Sequence, residues 1–169
     1  PELAVLLSYS KLILQRQLLD TDLVDDPYVL AYVDEAFPAK MAKLYGDKLR
    51  THYLKHALAS MQISNHFVTE LGITFLQQMH DEMGLAEMDV VKAFVAVRQI
   101  IGVQALFDDI LKQFDVLSGE AIIHLLMDLR RFVRRTTRWL LRNGAEQHTI
   151  AELVSCYQEG FKTLLPVLP

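Results

Sequence analysis

Six of the chain's nine arginines crowd one stretch, LRRFVRRTTRWLLRN: Arg130, Arg131, Arg134, Arg135, Arg138 and Arg142. A guanidinium carries a permanent charge and a planar fork of donors, which suits phosphate or carboxylate. At about 100° per residue the six cover an arc of roughly 140°, and apolar residues such as Leu129, Phe132, Val133 and Leu140 fill the rest of the wheel. Two roles fit this face. It could hold an anionic ligand or nucleic acid, or it could form ion pairs within or between domains. The segment 20–35 supplies a counterpart for the second role. It holds Asp20, Asp22, Asp25, Asp26, Asp34 and Glu35 and no base. A net charge of −4 disfavours general nucleic-acid binding.

A second candidate is LKHALASMQISNHFVTELGITFLQQM, residues 54–79. On a helical wheel Leu54, Leu58, Met61, Val68, Leu76 and Met79 share one side with Asn65, Thr69 and Gly72. A buried amide without partners costs about 1–3 kcal/mol, and a threonine can bond the carbonyl four residues back. Glycine admits a neighbouring backbone. With no titratable group on the stripe, the expected role is a polar seam between closely packed helices, with Asn65 buried and bonded to protein.

Other chemistry is weaker. His52 and His56 stand one turn apart and could chelate a metal edge-on, but His66 lies about 15 Å further along. No metal site is expected. Ser8 and Lys11 match S-x-x-K, the nucleophile motif of penicillin-binding enzymes, without that family's other motifs. No two of the seven glycines are closer than twelve residues, so neither a dinucleotide fingerprint nor a phosphate loop is present. No catalytic or cofactor-binding residue is therefore assigned to this chain.

The elements that carry these residues are helical nearly throughout. A first helix is expected to about Leu19, with Pro27 opening the next at its first position and Phe37–Pro38 closing it. A short helix should end near Tyr45, where Gly46 and Asp47 reset the chain. One long helix should run from about Lys48 towards Met83, bent at Gly72. Further helices are expected up to Gly102, over Ala105–Phe114, from a Ser118 cap to Asn143 or Gly144, and from Glu146 to a stop at Pro166. The expected class is all-α, a bundle of long helices with short connections. With 169 residues, half of them hydrophobic, residues 1–169 fit a single helical domain. The lone Cys156 excludes an intramolecular disulfide and a multi-cysteine zinc site. No apolar run approaches the about 18 residues of a membrane span. A chain opening on Pro, with no basic leader, reads as a piece of something longer, and a cytoplasmic location is expected.

The motifs PELAVLLSYSK and LLDTDLVDDPY resemble the C-terminal region of the large, long-chain bacterial NAD-specific glutamate dehydrogenases. The similarity continues through Asn65 and Gly72-Ile73-Thr74-Phe75, and resumes at LRRFVRRTTRWLLRN. Thr69 and Glu70 stand where the family pattern has Asn and Arg. The resemblance implies a parent enzyme that oxidatively deaminates L-glutamate with NAD. Its catalytic and dinucleotide-binding domains would lie before Pro1, and none of their functional residues maps onto this chain. The expected partners are the catalytic and N-terminal regions of that parent, as a homo-oligomer, with no membrane. The segment itself would serve structure, assembly or regulation. The alternative is a free-standing helical module that binds an anion or nucleic acid through its arginine face.

Overall fold

The computed structural model describes residues 2–164, which form nine α-helices and 3-10 turns with no strand among them. The all-α expectation holds. The chain divides into two compact units, Pro1–Gln77 and Gln78–Pro169.

In the first unit, α1 (Glu2–Leu19) is followed by a 3-10 turn (Asp22–Asp25) and the single-turn α2 (Pro27–Leu30). Pro27 opens α2 as expected, because its missing N–H is an orphan at that position anyway. Asp26 caps the turn by accepting from the Tyr28 N–H at 2.8 Å. The chain then tightens into a 3-10 segment (Ala31–Ala36) and ends at Phe37, held extended by the following proline. α3 (Ala39–Leu49) runs straight through Gly46 and Asp47, where a stop was expected. Glycine weakens a helix interior by only about 1 kcal/mol, and here its backbone stays helical.

The single long helix expected over 48–83 is two helices, α4 (Lys55–Glu70) and α5 (Phe75–Met83). Turns occupy Thr51–Leu54 before α4. Gly72 takes φ +88 and its N–H bonds the Val68 carbonyl at 3.2 Å. A left-handed residue there terminates a helix instead of bending it. α1 and the 3-10 segment pack against α4. The core they enclose includes Leu14, Leu18, Val33, Ile63, Phe67 and Leu71. Phe67 meets Phe75 edge-on, ring centroids 6.3 Å apart.

The second unit is organised round α6 (Glu87–Ile101), which is apolar over most of its surface and buried along most of its length. α8 (Gly119–Arg142) and α9 (Ile150–Leu164) pack against it. Gly102, at φ +69, closes α6 and starts α7 (Val103–Leu111), which ends in a 3-10 turn (Lys112–Asp115). Ser118 caps α8 as expected, its Oγ accepting from the Ala121 N–H. At the other end Gly144, not Asn143, adopts the left-handed conformation. The last helix starts later than expected, since residues 145–147 make a 3-10 turn. Thr149 and Glu152 form a capping box: the Thr149 N–H donates to Glu152 Oε2 at 2.8 Å, and the Glu152 N–H donates to Thr149 Oγ1 at 3.2 Å. The expected stop at Pro166 lies outside the described residues. No single described helix is long and apolar enough to cross a membrane.

Candidate functional site

The arginines lie along α8, and the 24-residue helix holds them in register. Arg134 Nη2 donates to Gln78 Oε1 at 2.5 Å and Arg138 Nη2 to Glu82 Oε1 at 2.8 Å. Both pairs are spaced i, i+4, so α5 and α8 meet as two matched steps. Arg142 approaches the same Glu82 carboxylate at 3.8 Å. Arg131 turns to Asp128 on its own helix at 2.8 Å. Arg130 and Arg135 are exposed. Burial, with Arg138 and Arg130 nearby, pulls the Arg134 guanidinium below its ordinary pKa.

The acidic segment proposed as the counterpart is engaged elsewhere, within its own unit. Asp34 accepts from Arg50 Nε at 3.3 Å, and that bond lifts Arg50 above its ordinary pKa. Asp25 faces His56 Nε2 at 2.8 Å, and Glu35 faces His66 Nε2 at 2.5 Å. Asp26 serves as the α2 cap. Asp20 and Asp22 are exposed.

The polar residues of α4 are not where the wheel put them. The face turned into the unit carries Ala59, Ser60, Ile63, Ser64, Phe67 and Val68. Leu54, Met61 and Thr69 are exposed, and Asn65 is only half-buried. No side-chain hydrogen bond reaches Asn65 among the described residues. The expected stripe is thus split, with Val68 and Met79 buried but Met61 and Thr69 exposed, and Gly72 takes a positive φ just past the end of α4. The cause is competition between two apolar faces. The inner one mixes Ile63 and Phe67 with small residues, and those small residues let a neighbour approach. Gln15 of α1 reaches the Ala57 carbonyl at 3.2 Å. The self-bonded threonine occurs on α8 instead, where buried Thr137 donates to the Val133 carbonyl at 2.8 Å.

The histidines serve as ties between elements. His52 Nδ1 accepts from the Leu54 N–H, and His56 is held by Asp25, so the two do not present a shared edge. His66 lies between two carboxylates, Glu35 and, at 3.3 Å, Glu70, with the Tyr32 ring 5.8 Å away. It fastens the 3-10 segment to α4. The Glu70 contact is one helical turn and was legible in sequence. Glu35 is 31 residues away, and no local signal gives it. The sequence reading also passed over buried Arg98, whose guanidinium lies 5.9 Å from the Phe94 ring centroid and donates to Gln104 Oε1 at 3.5 Å. The signal was a lone cation inside an apolar run. Ser8 is exposed on α1 and Lys11 is half-buried. The chemistry these residues present is ion pairing and helix fastening.

The whole chain, residues 1–169, matches the family model described as "Glutamate dehydrogenase, C-terminal". It is 37% identical over 142 residues to the NAD-specific glutamate dehydrogenase of Pseudomonas aeruginosa, covering 84% of this chain and 9% of that protein. The NAD-specific glutamate dehydrogenase of Halomonas elongata is 32% identical over 149 residues, 88% of this chain and 9% of its own length. That of Mycobacterium tuberculosis is 26% identical over 166 residues, 98% of this chain and 10% of its own. The chain thus spans about a tenth of the curated relatives it matches.

Proposed function

The chain belongs to the glutamate dehydrogenase C-terminal family, and on that premise we propose that residues 1–169 are the helical C-terminal domain of an NAD-dependent glutamate dehydrogenase. The parent converts L-glutamate, NAD and water to 2-oxoglutarate, ammonium and NADH in the cytoplasm. Its catalytic and dinucleotide-binding residues belong to the rest of the parent chain. The domain itself is architectural. It packs on the other regions of its polypeptide and supports assembly of a homo-oligomer. The observation that carries this reading is a family match over the entire chain that accounts for only about a tenth of each relative.

Two surfaces support the architectural role. Arg130, Arg131 and Arg135 are exposed on α8, and guanidinium groups suit carboxylates of another domain. The outer side of α4, with Leu58, Met61, Asn65 and Thr69, is a mixed seam that suits a region of the parent. The anion-binding alternative is weakened because Arg131, Arg134, Arg138 and Arg142 already have partners inside the second unit.

The test is an NADH absorbance assay with glutamate on the full parent and on residues 1–169 alone. The parent should turn over and the segment should not. A parent without glutamate-dependent NAD reduction would overturn the assignment. Arg131→Glu with Arg135→Glu in the parent should lower the sedimentation coefficient of the assembly. An unchanged assembly would remove the arginine face from the argument.

A further inference from the structure

α1 and α6 share a property that the fold satisfies for only one of them. Both carry apolar side chains on more than one side, beside polar ones such as Lys11 and Lys92, and each apolar side of such a helix needs cover in water. α6 is covered by α8 and α9. α1 buries Leu14 and Leu18 against its own unit and leaves the opposite side open. Val5 is 69% exposed, Tyr9 62% and Leu12 57%, and Leu3, Leu6 and Ile13 are exposed beside them. These six side chains expose on the order of 600 Å², the upper end of what a monomer's largest apolar patch reaches. That is close to the about 800 Å² that one partner contributes to a specific interface. Glu2 and Arg16 flank the patch at its two ends, so an apolar centre has a charged rim.

We infer that the outward face of α1 is a docking surface, and that its occupant is an apolar surface on another region of the same parent polypeptide. This rests on the proposed function. The size of the relatives selects the occupant: about nine-tenths of each relative's polypeptide lies outside the segment matched here. A surface on the same polypeptide is tethered to α1, so covering the face requires no second molecule. The occupant presents aliphatic and aromatic side chains to Val5, Tyr9 and Leu12, with a base opposite Glu2 and an acid opposite Arg16. α1 then joins this segment to the enzyme by burial.

The experiment uses the full parent enzyme with Tyr9→p-benzoylphenylalanine, irradiated as a mixture of isotopically light and heavy copies. The expected product is an unmixed, intrachain adduct to a peptide outside residues 1–169. The companion variant Tyr9→Asp should make the Glu2–Leu19 segment open to protease in the parent, while Tyr9→Phe keeps it protected. An adduct joining light to heavy chains at α1 would assign the face to a second copy. Absence of an adduct, with Tyr9 labelled by hydroxyl radicals as fast in the parent as in residues 1–169 alone, would leave the face uncovered. Either result overturns the proposal. The cross-link is read whether or not the parent reduces NAD. Absence of turnover in the unaltered parent therefore counts against the enzyme assignment, and an open Tyr9 counts against the docking.

Discussion

Phe67→Ala and Met61→Ala form a pair that decides which side of α4 supports the fold. Phe67 is 1% exposed and touches Phe75 edge-on, whereas Met61 is 37% exposed on the opposite side. Removing a buried phenylalanine ring costs about 3–5 kcal/mol through lost transfer energy and the cavity left behind. The ring pair adds about 0.5–1.5 kcal/mol to what is at stake. Met61→Ala removes a partly solvated side chain and keeps a good helix former, so its cost stays well below that of Phe67→Ala, at about 1 kcal/mol. With a urea m value of about 2 kcal/mol/M, Phe67→Ala should lower the midpoint of the helical circular dichroism transition by roughly 2 M. Met61→Ala should move it by only roughly 0.5 M. Equal losses, or a larger loss at Met61, would mean that the wheel stripe Leu54–Leu58–Met61–Asn65 faces the core and that this account of α4 is inverted.

Three further outcomes test other parts of the fold. Gly102→Ala meets no atom within 4 Å but must hold φ +69, so the backbone alone should cost about 1 kcal/mol and lower Tm by about 2–4 °C. The Glu152 carboxylate lies below its ordinary pKa because it accepts the Thr149 N–H and also bonds its hydroxyl. Its stabilisation of α9 is therefore full above the unfolded value of about 4.3 and drains away as pH falls through the lower folded value. An NMR titration should find Glu152 depressed in the wild type and restored towards the ordinary value by Thr149→Ala. Glu82→Gln frees Arg138 and Arg142, yet these groups are partly solvated, so the melt should change by less than about 1 kcal/mol and the difference should vanish in high salt.

Where one residue decides a feature locally, the sequence was sufficient. Pro27, the Ser118 cap, the Gly102 stop and the helical class all follow from backbone rules, and the structure has them. The misreadings came where a local rule had two answers. Gly46 stays helical and Gly72 does not, although both are single glycines in helical surroundings. Only the packing of neighbouring elements chooses between them. α4 carries two faces that could each enter a core, and the larger side chains of one outweighed, on paper, the small residues that let α1 approach on the other. The arginine helix was legible, but its partners were not. Asp25, Asp34 and Glu35 are taken by His56, Arg50 and His66 across gaps of sixteen to thirty-one residues. Glu82 and Gln78, which hold Arg138 and Arg134, lie 56 residues before them.

The burial of most of α6 also fixes an order of events during synthesis. Val90, Val91, Val95, Val97, Ile100 and Ile101 are β-branched, poor helix formers and good strand formers. These six weaken the preference for a helix that Ala93, Ala96 and the charged residues lend the segment. Its helix is imposed by α8 and α9, which follow it in the chain. At about 5–20 residues per second, the stretch up to Val154 that completes its cover takes roughly 3–10 s to appear. Throughout that interval an apolar, β-prone window lies open, of the kind that nucleates aggregation. A truncation that removes α9 would make that interval permanent, so such a protein should collect in inclusion bodies while the full segment remains soluble.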